Sequence, residues 1–350
     1  MDFSFDETQL AVEEAVRGVL ARESPSAQKW SMLQDAGLHV LSIPEEHGGA
    51  GLGAVEVGIV AQALGEAAVT SPFVGAGIAG LVASRTAPGI DIDDWCKGIA
   101  CGDVTAVSAR APGRAAVREA VPVEGDAFVN ITGDFSAAQC AEDARWLLVP
   151  TATGPGLIDA TQQGVTVVPI ASSLGTEDPR APVDCQFRLL DVRSKPVFSD
   201  RHDALDLFAD LHRTVFLSYA SGLLKGALKL TADHLSSRTQ FGRPLATFQA
   251  ASQEIADIYV LSIALESTSL YCNWTIDNGG SASAELDAGL FMFAGEGRAA
   301  MQMCHHLHGG LGVDVTYPMH RYFSLAKDVV RHCGGERQNL RRMGTRCSLV

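Results

Sequence analysis

The run Arg238-Thr239-Gln240-Phe241-Gly242-Arg243-Pro244, followed by Phe248-Gln249, gathers residue types able to grip a dinucleotide. A guanidinium pairs with a diphosphate through parallel hydrogen bonds, an aromatic ring offers a flat plate, and an amide both donates and accepts. The same residues also read as the end of a helix, with Gly242 just past the cap and Pro244 stopping the chain. Chemistry alone leaves both readings open. A second run, His305-His306-Leu307-His308-Gly309-Gly310-Leu311-Gly312, leads into Tyr317-Pro318-Met319-His320-Arg321-Tyr322. Glycines at a helix end let a backbone come close to a phosphate or a ring. The run is not Gly-x-Gly-x-x-Gly and no strand precedes it, so a Rossmann site lacks support. Ligands on one helical face prefer spacings of three or four with an acid nearby, and of these histidines only His305 and His308 comply. No metal site is expected.

Three zones must position these runs. Over residues 1–101 apolar residues recur at helical spacing, as in Leu10, Val12, Val16 and Leu20, with breaks at Ser24-Pro25, Pro44 to Gly53, and Pro72. The segment Ile43-Pro44-Glu45-Glu46-His47-Gly48-Gly49-Ala50-Gly51 reads as a turn before a new helix from about Ala54. Over residues 102–198 short β-prone runs alternate with Gly, Pro, Asp and Asn: Val104–Ser108, Phe128–Thr132, Trp146–Val149, Val165–Ile170 and Phe187–Leu190. Over residues 199–350 long amphipathic helices return. Phe208, Leu211, Val215, Tyr219, Leu223 and Leu230 form one stripe, and a second helix is expected from Phe248 to about Asn273. A third follows Gly279-Gly280 through Phe291, Phe293 and Met301, and Pro318 opens a fourth. The expected fold class is α+β: a helical domain, a β domain and a four-helix bundle.

Composition narrows the function. The 350 residues are 47% hydrophobic and 19% charged, enough apolar mass for a real core. A net charge of −14 argues against a nucleic-acid or anionic-membrane binder. Eight cysteines (96, 101, 140, 185, 272, 304, 333 and 347) stand at irregular spacings without a Cys-x-x-Cys, which suggests reduced thiols. The start, Met1-Asp2-Phe3-Ser4-Phe5, lacks the basic stretch of a signal peptide, and no uninterrupted apolar run reaches ~18 residues. A cytoplasmic chain without a membrane span is expected.

Together, Arg-x-Gln-Phe-Gly-x-Pro-(x)3-Phe-Gln and a later Gly-Gly-x-Gly before Tyr-Pro resemble the acyl-CoA dehydrogenase flavoproteins. The zone order and the Ile43–Gly51 segment match as well. The resemblance implies FAD as cofactor. A glutamate takes the α-proton of an acyl-CoA thioester while the β-hydrogen leaves as hydride to the flavin. It also implies that FAD crosses a subunit interface, its adenosine diphosphate half held by a neighbour's bundle. Carried over, Arg238 and Phe241 face the diphosphate and adenine side with Gln249 close by, and His306, Leu307, Gly309 and Gly310 complete the grip. His306 stands where the family usually has glutamine, and a neutral imidazole still donates one hydrogen bond.

The flavin half departs from the family pattern. The motif Thr-Glu-Pro-x-x-Gly-Ser-Asp is replaced by the stretch from Ser108 to Ala116, and Trp-x-Thr by Ala137-Ala138-Gln139. The family's base sits at one of two points, which fall here on His212, next to Arg213, and on Cys333. Neither is a carboxylate, so no catalytic residue is expected in this chain. Arg213 is a weak candidate for touching substrate. These departures imply a chain that keeps the half-site it lends and has lost the half-site it would use. The resemblance extends to the short subunit of heterotetrameric actinobacterial steroid-CoA dehydrogenases, through the His305–Tyr322 run and the Cys347-Ser348-Leu349 ending. That implies a homologous dehydrogenase subunit as partner and a steroid-CoA with a shortened side chain as substrate. A self-sufficient homomeric enzyme with His212 as base, and a flavin-free scaffold of the same fold, remain alternatives.

Overall fold

In a computed structural model of the chain, residues 4–22, 24, 26–86, 89–108, 118–119, 128–139, 144–151, 154–170, 174, 184–198 and 203–348 are described. The first zone forms α1 (Glu7–Leu20), α2 (Ser26–Asp35), α3 (Ala54–Glu66), α4 (Phe73–Ala83) and α5 (Asp93–Ala100). Helix α1 opens on a capping box, with the Asp6 carboxylate accepting from the Gln9 amide at 2.8 Å and the Gln9 side chain accepting in return at 3.2 Å. The turn ahead of α3 ends where expected. A distant carboxylate caps the helix: Asp277 accepts from the backbone amides of Ala54 at 2.7 Å and Val55 at 2.9 Å.

Strands β1 (Val104–Val107), β2 (Arg118–Glu119), β3 (Val129–Gln139), β4 (Ala144–Thr151), β5 (Gly154–Asp159), β6 (Val165–Ile170) and β7 (Asp184–Pro196) make one sheet in the order β1-β4-β5-β7-β3-β2, with β6 also on β7. Strand β1 runs parallel to β4 and the other pairs are antiparallel. Ile131, Phe135, Leu147, Ile158 and Phe187 pack in a core separate from that of the helices. Strand β5 escapes the sequence reading because Gly154-Pro155-Gly156 resembles a turn, yet it pairs with β4 from Thr151↔Gly154 to Trp146↔Asp159.

The last zone begins with α6 (Ala204–Ser237), which is 34 residues long. It is followed by the ribbon β8 (Thr239–Gln240) and β9 (Arg243–Pro244), then α7 (Gln249–Asp277). Next come α8 (Ser283–Met292), a π turn at Phe293–Gly297, α9 (Arg298–His308) and α10 (Met319–Cys333). A further helix, α11 (Gly335–Cys347), exceeds the four expected, set off from α10 by the left-handed Gly334. Helices α3 and α6 cross closely: a Cβ on Gly65 would stand 2.1 Å from the Tyr219 carbonyl oxygen, and one on Gly222 would stand 2.0 Å from that of Gln62. Among the described residues, α7 alone has the length and composition of a membrane span. Its Ile258, Leu265, Cys272 and Ile276 are buried in the bundle.

Candidate functional site

The Arg238 run folds as both of its readings require. Helix α6 ends at Arg238, whose amide donates to His234. The chain then reverses through a two-residue hairpin in which Gln240 pairs with Arg243. Both hairpin residues lie in the left-handed region, Phe241 at φ 53° and Gly242 at φ 78°. Such a turn favours Asn-Gly, and an aromatic residue there costs about 1–2 kcal/mol. Phe241 is nonetheless 92% exposed, so packing within the chain offsets that cost only in part. Below it the Arg243 guanidinium lies 4.1 Å over the Phe248 ring, and Phe241 meets the same ring edge-on at 6.2 Å.

The second run ends α9 beside the first. A hollow of about 260 Å³ is lined by Leu235, Leu245, Phe248, Glu254, His306 and Leu307, drawn from α6, the segment after β9, α7 and α9. Arg238, Gln249, His306, Gly309 and Gly310 are exposed around it, and Leu307 is half-buried. Gly309 has φ 58° and ψ −135°, a conformation open only to glycine. Gly310 needs no special backbone, and a Cβ there would meet nothing within the chain. The three histidines of this run diverge. His305 packs edge-on against Phe323 at 5.2 Å, His306 is exposed, and His308 is buried.

Both base positions are buried, His212 toward the other end of α6 and Cys333 at the end of α10. His212 is 2% exposed and its Nε2 has no hydrogen-bond partner among the described residues. Burial, reinforced by His332, Arg213 and Arg342, holds its pKa well below the usual value, so the ring is neutral. Cys333 is 4% exposed, and burial pushes its thiol up to about 12. The Phe216 ring lies 4.7 Å from His212 and stacks 4.7 Å from His332, the residue before Cys333. His332 Nε2 stands 3.1 Å from Asp184 Oδ1, and Arg331 pairs with the other carboxylate oxygen. Burial alone would raise the Asp184 pKa, but His332 and Arg331 bring it below the ordinary carboxylate range. Asp184 begins β7, in register with Gln139 of β3, while Ala138 faces Cys185. The Ala137-Ala138-Gln139 stretch and both base positions are thus tied to one another through Asp184 and α10. Residues Ala109–Ala116 of the other departed motif lie outside the described residues.

Arg213 is 4% exposed between Asp210, at 3.3 Å, and Asp287, with Arg346 on the second oxygen of Asp287 at 2.9 Å. Its charge is committed to buried carboxylates. The sequence reading passed over Phe216 and Asp184 and gave His332 no role. Asp184 lies 148 residues before His332, and no local pattern signals such a contact.

Comparison with known proteins identifies the architecture. The N-terminal domain of acyl-CoA dehydrogenases matches residues 6–86, and their C-terminal domain matches residues 206–346. The acyl-CoA dehydrogenase FadE28 of Mycobacterium tuberculosis is 34% identical over the full length of both chains. This chain belongs to the acyl-CoA dehydrogenase family. A crystal structure of the ChsE4-ChsE5 complex from Mycobacterium tuberculosis superposes with a TM-score of 0.87 at 25% identity, covering all of both chains. A variant of the Tcur3481-Tcur3483 steroid ACAD superposes at 0.85 and 26% identity over 97% of each. FAD is the cofactor of acyl-CoA dehydrogenases, and its two halves fare differently against these residues. The strained Phe241, the exposed Arg238 and the open face of Gly310 fit an adenosine diphosphate approaching from outside. The sealed end, where Phe216 lies between two imidazoles and no carboxylate occupies either base position, does not fit a flavin ring with its substrate.

Proposed function

We propose that this chain is one subunit of a heteromeric FAD-dependent acyl-CoA dehydrogenase, lending the outer grip on a cofactor whose flavin ring belongs to a homologous partner. The observation that carries the reading is the burial of both base positions, neither of them a carboxylate: His212 is 2% exposed against the Phe216 ring, and Cys333 is 4% exposed. When bound, FAD would supply the hydride acceptor for desaturation of the acyl-CoA, with the proton acceptor provided by the partner subunit. This chain's residues bind and orient. Arg238 pairs with the diphosphate, Phe241 covers the adenine side, and Gln249 and His306 donate hydrogen bonds. Leu307, Gly309 and Gly310 let the backbone come close. Similarity to the Tcur3481-Tcur3483 steroid ACAD supports a steroid side-chain CoA thioester as substrate. A homomeric enzyme using His212 would need that buried imidazole to reach substrate, and its 2% exposure speaks against this.

Expression alone and with a homologous glutamate-bearing subunit tests the reading. The lone chain should emerge colourless and inactive, and the co-expressed pair yellow and competent to desaturate steroid-CoA. Arg238→Ala in the pair should weaken flavin retention by about 1.5–3 kcal/mol, the worth of a hydrogen bond to a charged group. A lone chain that carries stoichiometric flavin and oxidises acyl-CoA would overturn the reading.

A further inference from the structure

The exposed residues of the grip do not hold one another in place. What joins the two helix ends lies beneath them. His234, one turn before Arg238, stacks its imidazole on that of His308, with centroids 4.5 Å apart and planes 24° from parallel. His308 is the last residue of α9 and stands next to Gly309. Its Nδ1 lies 2.8 Å from the Cys304 carbonyl oxygen, which can only accept, so Nδ1 carries the proton. In the neutral ring Nε2 is then an acceptor, and the Tyr317 hydroxyl donates to it across 3.1 Å. Tyr317 precedes Pro318, which opens α10. One imidazole therefore couples the end of α6, the end of α9 and the entry to α10.

We propose that His234 and His308 are positioning residues: their stacked neutral rings fix the Gly309–Gly310 turn relative to the Arg238–Phe241 hairpin. The proposal rests on the subunit reading only in taking those two turns to face a dinucleotide. The surroundings make charging either ring costly. His308 is 5% exposed, and burial lowers its pKa, while His234 is lowered by burial and then by His308 and Arg238. From the neighbouring elements His305 and His320 also face this region, with Lys327 near His305. The His320 Nδ1 lies 2.8 Å from the Tyr317 carbonyl oxygen. Two carboxylates lie nearby: Asp233 acts on Tyr317, whose hydroxyl is raised mainly by burial, and Asp314 interacts with His320. Acidification therefore charges stacked rings that burial and each other's presence keep neutral, and the two turns should loosen together.

Hydrogen exchange of the lone chain, corrected for intrinsic rates, tests this without any cofactor. From pH 7.5 to 5.5, protection should fall in step over residues 234–242 and 305–313. His308→Ala should remove it from both segments at pH 7.5. His234→Phe, which keeps a ring in the stack but not its proton site, should retain protection at pH 7.5 and lose less of it at pH 5.5. In the flavin-bearing pair, His308→Ala should release flavin severalfold faster, whereas His234→Phe should release it at nearly the wild-type rate at pH 7.5. Segments that loosen independently, or an His308→Ala chain with unchanged protection, would overturn the coupling. Coupled loosening with unchanged flavin release from a yellow pair would overturn the positioning role. Failure of any pair to bind flavin would instead refute the subunit reading and leave the exchange result standing.

Discussion

His212 and His332 face each other at 6.5 Å across the bundle, with the Phe216 ring 4.7 Å from each. An acyl-CoA dehydrogenase needs a carboxylate near this place that can lose and regain a proton. Here the place holds an aromatic plug flanked by imidazoles, one of them braced by Asp184. A plug of this kind is a packing solution, and its energetics follow from burial.

The pH dependence of stability should report it. His212 is held well below its usual pKa by burial, so the folded chain refuses a proton that the unfolded chain accepts. Above about pH 6.5, the unperturbed histidine value, neither state is charged and the full stability is present. As pH falls below that value the unfolded state gains protons and stability drops. Urea unfolding of the lone chain at pH 7.5 and 5.5 should show this loss. His212→Phe, which keeps a ring against Phe216, should shrink it, with His39, His234, His305 and His308 supplying the remainder.

The amphipathic stripe from Phe208 to Leu230 made α6 legible, because it buries a continuous face in the bundle, and Pro318 marked the opening of α10. The Arg238 run was legible as a turn, since glycine and proline announce one. Its strain was not, because nothing in Arg-Thr-Gln-Phe-Gly says that Phe241 rather than a neighbour takes the left-handed conformation. Counting along the family pattern located His212 and Cys333 separately. The packing of His212 and His332 on either side of Phe216 is a tertiary fact that depends on the contact of α6 with α10. Strand β5 and helix α11 were hidden by the glycines that flank or begin them, which read as breaks.

The commitment of Arg213 to buried carboxylates predicts a large structural penalty. Arg213→Met should leave Asp210 and Asp287 short of a counter-ion in the core. Removing one partner of a buried pair costs about 3–5 kcal/mol, and Arg346 on Asp287 keeps the loss toward the lower end. Thermal unfolding should show a large drop in Tm for the lone chain. A variant of wild-type stability with a raised KM for acyl-CoA in the pair would instead make Arg213 a substrate contact.

The thiols should separate by burial. Cys96, Cys185, Cys272, Cys304 and Cys333 are buried, while Cys101 and Cys347 are exposed. The Cys333 and Cys272 thiols are both pushed up to about 12 by burial, so almost no thiolate is present at pH 8. Brief treatment of the folded chain with an alkylating reagent should label Cys101 and Cys347 and spare Cys333. Peptide mass mapping reads this directly. Rapid labelling of Cys333 would show a solvent path to the base position that the packing around Phe216 excludes.

Phe241 sets stability against cofactor retention. Its φ of 53° costs about 1–2 kcal/mol, and at 92% exposure its edge-on contact with Phe248 recovers only part of the loss. Phe241→Asn keeps the turn, suits it better, and removes the plate. The lone chain should therefore gain about 1 kcal/mol in urea unfolding, the reverse of what deleting a packed aromatic does. In the pair, the same change should speed flavin release. A destabilised lone chain would show that Phe241 packs inside its own subunit, and unchanged flavin release would show that the exposed ring is not presented to the cofactor.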